Sequence, residues 1–288
     1  METGPQHMIT KKKKIKTTNQ TNLKDSHLSI QFSLDGFSFC VLHKDSKTFT
    51  ELHEYTFQET NNAPQKLLEN ITKVFKEDSL LEQKYHSISV SHINEMATLV
   101  PKPLFDEKRL KEYVNFNTKV YTTDHLVYDE IKNHDIISVY IPYTNINNFL
   151  LDQFKEFEFK HYSNILINSL LGIYKYSLVP HMFAHIHNNH FELIVIAKNK
   201  LQLYNTFQFS SKEDFIYYVL FTAEQLNLNP EKLELILLGT IEKDNDIFKI
   251  AFKYIKNVSL IENRSNYLYD DAFTEIDKRK YYTLLNQY

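Results

Sequence analysis

The chain has 288 residues, 42% hydrophobic and 14% aromatic, at a formal net charge of −3, which is ample apolar material for one large domain or two smaller ones. Its four glycines, Gly4, Gly36, Gly172 and Gly239, are few for a protein that wraps backbone around phosphate, and this weighs against nucleotide chemistry. The single cysteine, Cys40, excludes an internal disulfide framework or a cysteine metal site, and no run reaches the roughly 18 apolar residues of a membrane span.

Six lysines (Lys11 to Lys14, Lys16 and Lys24) against Glu2 and Asp25 set residues 1–26 at +4 and the remainder at −7. This segment lacks apolar periodicity and reads as a disordered basic leader whose removal leaves the fold unaltered. An acidic body repels phosphate backbones, so any contact with nucleic acid runs through the leader. Nothing in it is an apolar signal-peptide core, and a cytoplasmic location is expected.

In LSIQFSLDGFSFCVLHKD (28–45), Leu28, Ile30, Phe32 and Leu34 alternate with polar residues, and Phe37, Phe39 and Val41 repeat the period after Asp35-Gly36. An Asp-Gly pair between two such runs predicts a tight hairpin with positive φ at both turn positions. A third strand is expected over 49–57. Pro64 then opens a helix with Leu67, Leu68, Ile71, Val74 and Phe75 on one face. Residues 85–131, with VPKPLF and a helix near 106–115, read as an inserted subdomain. ISVYIP (137–142) reads as a buried strand leading into a helix carrying Ile146, Phe149, Leu150 and Phe154 inward, followed by a strand near 158–162 and a helix over 164–176.

The opening unit recurs about 150 residues later. Strands are predicted near 182–187, 190–197 and 200–208, with Asn188-Asn189 in the hairpin position held by Asp35-Gly36. Ser211 and Asp214 form a capping-box-like start for a helix whose Phe215, Tyr218, Val219, Thr222 and Leu226 share a side. LELILLGTI (233–241) reads as a buried strand, followed by a helix near 244–256. A C-terminal helix is expected over 272–285, with Phe273, Ile276, Tyr281 and Leu284 apolar. Two copies of one supersecondary unit suggest a duplicated fold.

A three-stranded meander, a helix, then alternating strands and helices, present twice, resembles the actin-like ATPase superfamily. LSIQFSLDGFSF, LVPKPLF, VYIP, HYSNILINSLL and FQFSSKEDFIYYVLFTAEQLNLNPEKLELILLGTI are similar to the uncharacterised bacterial family DUF3822 over roughly residues 27–262. The resemblance implies an α/β actin-like fold of two tandem ribonuclease-H-like lobes with mixed sheets and flanking helices. The lobes are expected at 27–177, with the insertion, and at 178–262, with a C-terminal segment 263–288 whose helix packs back on the first lobe.

It also implies what a working nucleotide site would need: a carboxylate one residue from a glycine on the first strand, small or hydroxyl residues after it, and a glycine pair in an adenosine-binding segment. Here Asp35 touches Gly36 directly, Phe37 follows, HIHNNHF offers neither Asp nor Gly at the second turn, and LLGTIE retains only Gly239. The expected function is therefore a non-catalytic binding or scaffold protein, a pseudo-ATPase with a protein partner, no catalytic residues and no cofactor. The alternative is a divergent ATP-binding or ATP-hydrolysing member using Mg and ATP through Asp35, Gly36 and Gly239.

HMFAHIHNNH concentrates His181, His185, His187 and His190. His185 and His187 point to one face of a strand and are the candidate metal ligands, but zinc takes three or four, no nearby cysteine or acidic residue completes a set and His161 is remote in sequence, so no metal site is expected. Glu54 with Glu59, and Asp270 with Asp271, have no fixed separation that would mark a catalytic pair. Tyr217-Tyr218 and Tyr281-Tyr282 are residue types used at interfaces, with Tyr218 assigned to the core.

Overall fold

Alternating apolar positions set the second, third and fourth strands of the chain, while the first is mostly lysine. In the computed structural model, which describes residues 9–16, 23–57, 64–132, 134–262 and 266–288, these strands are β1 (Ile9–Lys16), β2 (Ser26–Ser33), β3 (Gly36–His43) and β4 (Thr48–Phe57). Helix α1 (Pro64–Glu77) and β5 (Ser87–His92) follow, then β6 (Ala97–Pro101), α2 (Leu110–Asn115), β7 (Val127–Ile131), β8 (Ile136–Tyr140), α3 (Thr144–Phe154), β9 (Glu158–His161) and α4 (Tyr162–Ile173). The second half runs β10 (His181–Ile186), β11 (His190–Ala197), β12 (Lys200–Gln208), α5 (Lys212–Gln225), β13 (Glu234–Gly239), α6 (Asp246–Tyr254) and β14 (Asn257–Leu260). It ends with β15 (Leu268–Tyr269) and α7 (Glu275–Lys280).

Two compact units result. Unit 1 takes the described residues up to Ile165 with Asn266–Ala272 and Thr283–Tyr288, and unit 2 takes those from Leu166 with Phe273–Tyr282. The main sheet of unit 1 has the order β1-β4-β3-β2-β5-β9, with β15 also on β4; that of unit 2 has the order β12-β11-β10-β13-β14. Apart from β1 and β15, the two sheets share one plan: an antiparallel meander whose first strand continues into two parallel strands.

Helical periodicity places the covering residues. In unit 1, Leu67, Ile71 and Val74 of α1 and Ile146 and Leu150 of α3 are buried in one core with Leu28, Ile30, Phe32, Phe37 and Phe39, each such side chain stabilising by about 1.5–3 kcal/mol. In unit 2, Phe215, Val219 and Ala223 of α5 and Ile247 and Ala251 of α6 share a core with Met182, Ala184, Phe191, Leu193 and Val195. The Ser211 and Asp214 capping box that starts α5 is formed. Lys198 and Asn199, at φ 52° and 58°, make the β11–β12 turn with both residues in the left-handed region, the geometry that matches strand twist.

Several sequence expectations are corrected. Residues 9–16 of the basic segment are an edge strand: β1 pairs antiparallel with β4 from Ile9 opposite Phe57 to Lys16 opposite Glu51, and Ile15 is buried. Residues 1–8 and 17–22 lie outside the described residues. ISVYIP supplies β8, the middle strand of a separate three-stranded sheet, β6-β8-β7, which packs with Val114 of α2 around Val100, Ile137 and Val139. The main-sheet strand is instead β5, from the more polar SISVSH, parallel to β2. The expected C-terminal helix is divided: α7 belongs to unit 2, while Thr283–Tyr288 lie in unit 1, where Thr283 donates to Gln31 at 2.6 Å and Gln287 to the Ile30 carbonyl at 2.9 Å. Cys40 is fully buried beneath this segment, and burial pushes its thiol up to about 12.

The strand that replaces the leader is tied down by charge. Asp78, nearly buried, accepts from His53 Nδ1 and Tyr55 OH at 2.5 Å each and from Lys11 Nζ at 3.0 Å. Burial alone would raise the Asp78 pKa, but these three donors hold it well below the usual carboxylate range. Asp78→Asn should therefore lower stability at pH 7 by on the order of 1–3 kcal/mol. Because the folded-state pKa is depressed, the difference from wild type should be full above the unfolded value of about 3.9 and shrink as pH falls below it. Chemical denaturation of both proteins from about pH 2 to pH 7, which reaches well below that unfolded value, measures it; an equal difference at every pH would contradict the assignment.

Candidate functional site

The first hairpin contains the carboxylate nearest to a glycine. Ser33 pairs with Gly36, so the turn residues are Leu34 and Asp35, and Gly36 is the first residue of β3. None of the three has positive φ, which corrects the expected left-handed Asp-Gly turn. What restricts Gly36 is the neighbouring strand, because a Cβ there would lie 3.0 Å from the Tyr55 carbonyl oxygen. Asp35 is exposed, its carboxylate accepts from the Ser33 hydroxyl at 2.5 Å, and its carbonyl accepts from Phe57 N–H at 2.8 Å. Phe37 is buried in the core beside Phe39, Tyr55 and Phe75.

Gly239 ends β13 opposite Ile186 of β10 and has φ 92°. A Cβ there would come within 2.2 Å of the Ile186 carbonyl oxygen, and Thr240 N–H donates to that same oxygen at 3.0 Å. The glycine thus serves a close strand contact. The loop beyond it lines a shallow depression of about 280 Å³ with Thr240, Ile241, Glu242, Asp244, Asn245 and Ile276, whose charges are both negative. Asn245 caps α6 by accepting from Ile247 N–H at 2.8 Å.

The hairpin of unit 2 assembles more. His187 N–H donates to the His190 carbonyl at 2.9 Å across Asn188-Asn189, and the pairing continues to His185 opposite Glu192. Strand alternation then puts His185, His187, His190 and Glu192 on one face. Glu192 has no exposed surface. Its Oε2 lies 2.9 Å from His185 Nδ1 and 3.0 Å from His187 Nε2, and its Oε1 lies 3.4 Å from His190 Nε2. Burial pushes His185 below its ordinary pKa. Burial alone would raise the Glu192 pKa, but His187, His185 and His190 hold it well below the carboxylate range. Sequence reasoning missed Glu192, although the hairpin register was enough to find it.

Other buried histidines are satisfied differently. His92 Nδ1 accepts from Tyr143 N–H at 3.1 Å while Nε2 faces Asn147 Oδ1 at 3.0 Å, and burial lowers its pKa to about 3. His161 is held by Ser163 and the Asn94 carbonyl. Of the tyrosines, Tyr217 is exposed and stacks on Phe221, whereas Tyr218 is partly buried and stacks on Phe207.

Among solved structures, the chain is similar to a protein of actin-like ATPase fold and unknown function from Bacteroides thetaiotaomicron VPI-5482, at 25% identity and TM-score 0.74, covering 85% of this chain and 93% of that one. It is similar in fold to a chain of a PilM-PilN type IV pilus biogenesis complex, at 10% identity and TM-score 0.57, covering 92% and 98%. With the repeated sheet order, these likenesses define an α/β protein of the actin-like ATPase fold, with mixed sheets and flanking helices. The chain belongs to the family described as protein of unknown function DUF3822, whose sequence profile matches residues 15–258. No curated protein sequence matches it. No helix among the described residues is long and apolar enough to cross a membrane.

The two glycines should respond unequally to alanine. Gly239→Ala meets backbone at 2.2 Å with a positive φ and should cost more than about 2 kcal/mol, whereas Gly36→Ala meets one oxygen at 3.0 Å and should cost about 1 kcal/mol. Thermal unfolding of the two variants orders them; equal losses would refute the argument from close approach.

Proposed function

We propose that the protein is a non-catalytic binding or scaffold protein, an actin-like ATPase frame that acts without nucleotide. The observation that carries this reading is the first hairpin turn. Asp35 is joined to Ser33, its carbonyl is engaged by Phe57, and the side chain two positions on, Phe37, belongs to the core. Phosphoryl transfer relies on backbone donors, small residues and carboxylate-held metal around the phosphates rather than on covalent chemistry, so a turn closed in this way supplies little acceleration.

Two further features support it. The second turn has Asn188-Asn189 closed by a backbone hydrogen bond, and the loop after Gly239 presents Glu242 and Asp244, whose charges repel a polyphosphate. A binding role fits exposed Tyr217, Phe221 and Tyr254, residue types enriched at interfaces, and one protein of similar fold is found in a two-protein complex. The partner in this reading is a protein, and a cytoplasmic location agrees with the lone reduced-type cysteine.

Calorimetry with Mg-ATP tests the proposal on the purified full chain. The expected result is no saturable heat, no hydrolysis above background, and the same behaviour in Asp35→Ala. Saturable binding at micromolar concentration, lost in a folded Asp35→Ala variant, would overturn it in favour of a divergent ATP-binding protein using Asp35, Gly36 and Gly239.

A further inference from the structure

We propose that His185, His187, His190 and Glu192 form a binding site for one divalent transition-metal ion, zinc by ligand chemistry, which fastens the end of the β10–β11 hairpin. The ligand atoms of His185, His187 and Glu192 lie within 4.8 Å of one another, and His190 approaches the same carboxylate at 3.4 Å. In a tetrahedral zinc site with bonds of about 2.0–2.1 Å, neighbouring donor atoms stand about 3.3 Å apart. The separations of 2.9, 3.0 and 3.4 Å around Glu192 are on that scale, and no donor pair among His185, His187 and Glu192 exceeds 4.8 Å, so side-chain rotation closes the set onto an ion.

The local bonding favours coordination over an ordinary polar cluster. His185 is buried, and its Nδ1 stands 2.9 Å from Glu192 without the alignment of a hydrogen bond, whereas His92 and His161 have partners at both ring nitrogens. His190 Nδ1 is 2.9 Å from Asn189 Oδ1, an outer contact of the kind that fixes the tautomer of a metal-binding histidine and leaves Nε2 free to coordinate. His187 and His190 lie with parallel rings 4.5 Å apart and are a quarter exposed, which gives an ion a route to the buried pair. Three imidazoles and one carboxylate form the nitrogen-and-oxygen set suited to zinc. Four protein ligands close the coordination sphere, so the ion would be structural.

The probe is zinc alone, titrated by calorimetry into chelator-treated full-length protein without a histidine tag. One zinc per chain should bind at micromolar concentration or tighter, the melting temperature should rise with zinc, and cobalt should give the intense visible absorption of a tetrahedral site. His187→Ala with His190→Ala removes two partly exposed ligands, and Glu192→Gln removes the carboxylate at constant shape. Each should weaken zinc by more than about tenfold, since loss of an outer-sphere contact alone costs that much. Absence of one-to-one binding, or equal affinity in a folded His187→Ala/His190→Ala variant, would overturn the proposal. Loss of zinc binding there with ATP behaviour unchanged separates this result from the test at Asp35.

Discussion

Each unit depends on one strand with both edges engaged: β2 pairs antiparallel with β3 and parallel with β5, and β10 pairs antiparallel with β11 and parallel with β13. Backbone polar groups in such a strand are satisfied within the sheet, which permits burial of both faces. All six residues of β10 are buried. Alanine, methionine and isoleucine serve the face toward α5 and α6, and Tyr174 packs on His181 and Phe183 of the opposite face. Polar side chains on that opposite face must find partners inside the protein. His27 takes Ser87 and Ser89, and His185 meets Glu192. The burial of His27, His181 and His185 is thus a consequence of the central strands' position as much as of any chemistry.

Elements whose periodicity matched their environment were legible in the sequence. The two meanders, α1, α3, α5 and β13 fall within a few residues of expectation because their apolar periods are strong and their boundaries carry Pro64 or the Ser211 cap. SISVSH was harder, since Ser89 and Ser91 sit on the central-sheet strand β5 and make it read as polar. KKKKIK failed for a different reason: an edge strand needs only one apolar anchor, Ile15, while Lys11 reaches a carboxylate 67 residues away. Long-range charge partners leave no local signature.

The candidate sites show the same division. Residue types at Asp35, Phe37 and Gly239 were readable, but the reason Gly239 is glycine required the approach of Ile186, which only pairing reveals. Glu192 was within reach of the sequence. A two-residue turn at 188–189 fixes 187 opposite 190 and 185 opposite 192, so the acidic partner follows from counting along the hairpin. Its spacing from His185 and His187 along the chain is not that of ligands on one strand, and only the pairing of two strands brings it to them.

The outer edge of β4 carries β1 over Glu51–Phe57 and β15 over Thr48–Phe49. Without them, unit 1 would present a ten-residue strand with open N–H and C=O groups and buried-type side chains, a template on which a second chain could build intermolecular sheet. The backbone of the lysine run closes this edge, and lysine side chains on an edge strand make it a poor acceptor for further strands. In physical terms, like charges along this rim oppose the growth of further sheet from the edge that the same segment's backbone forms.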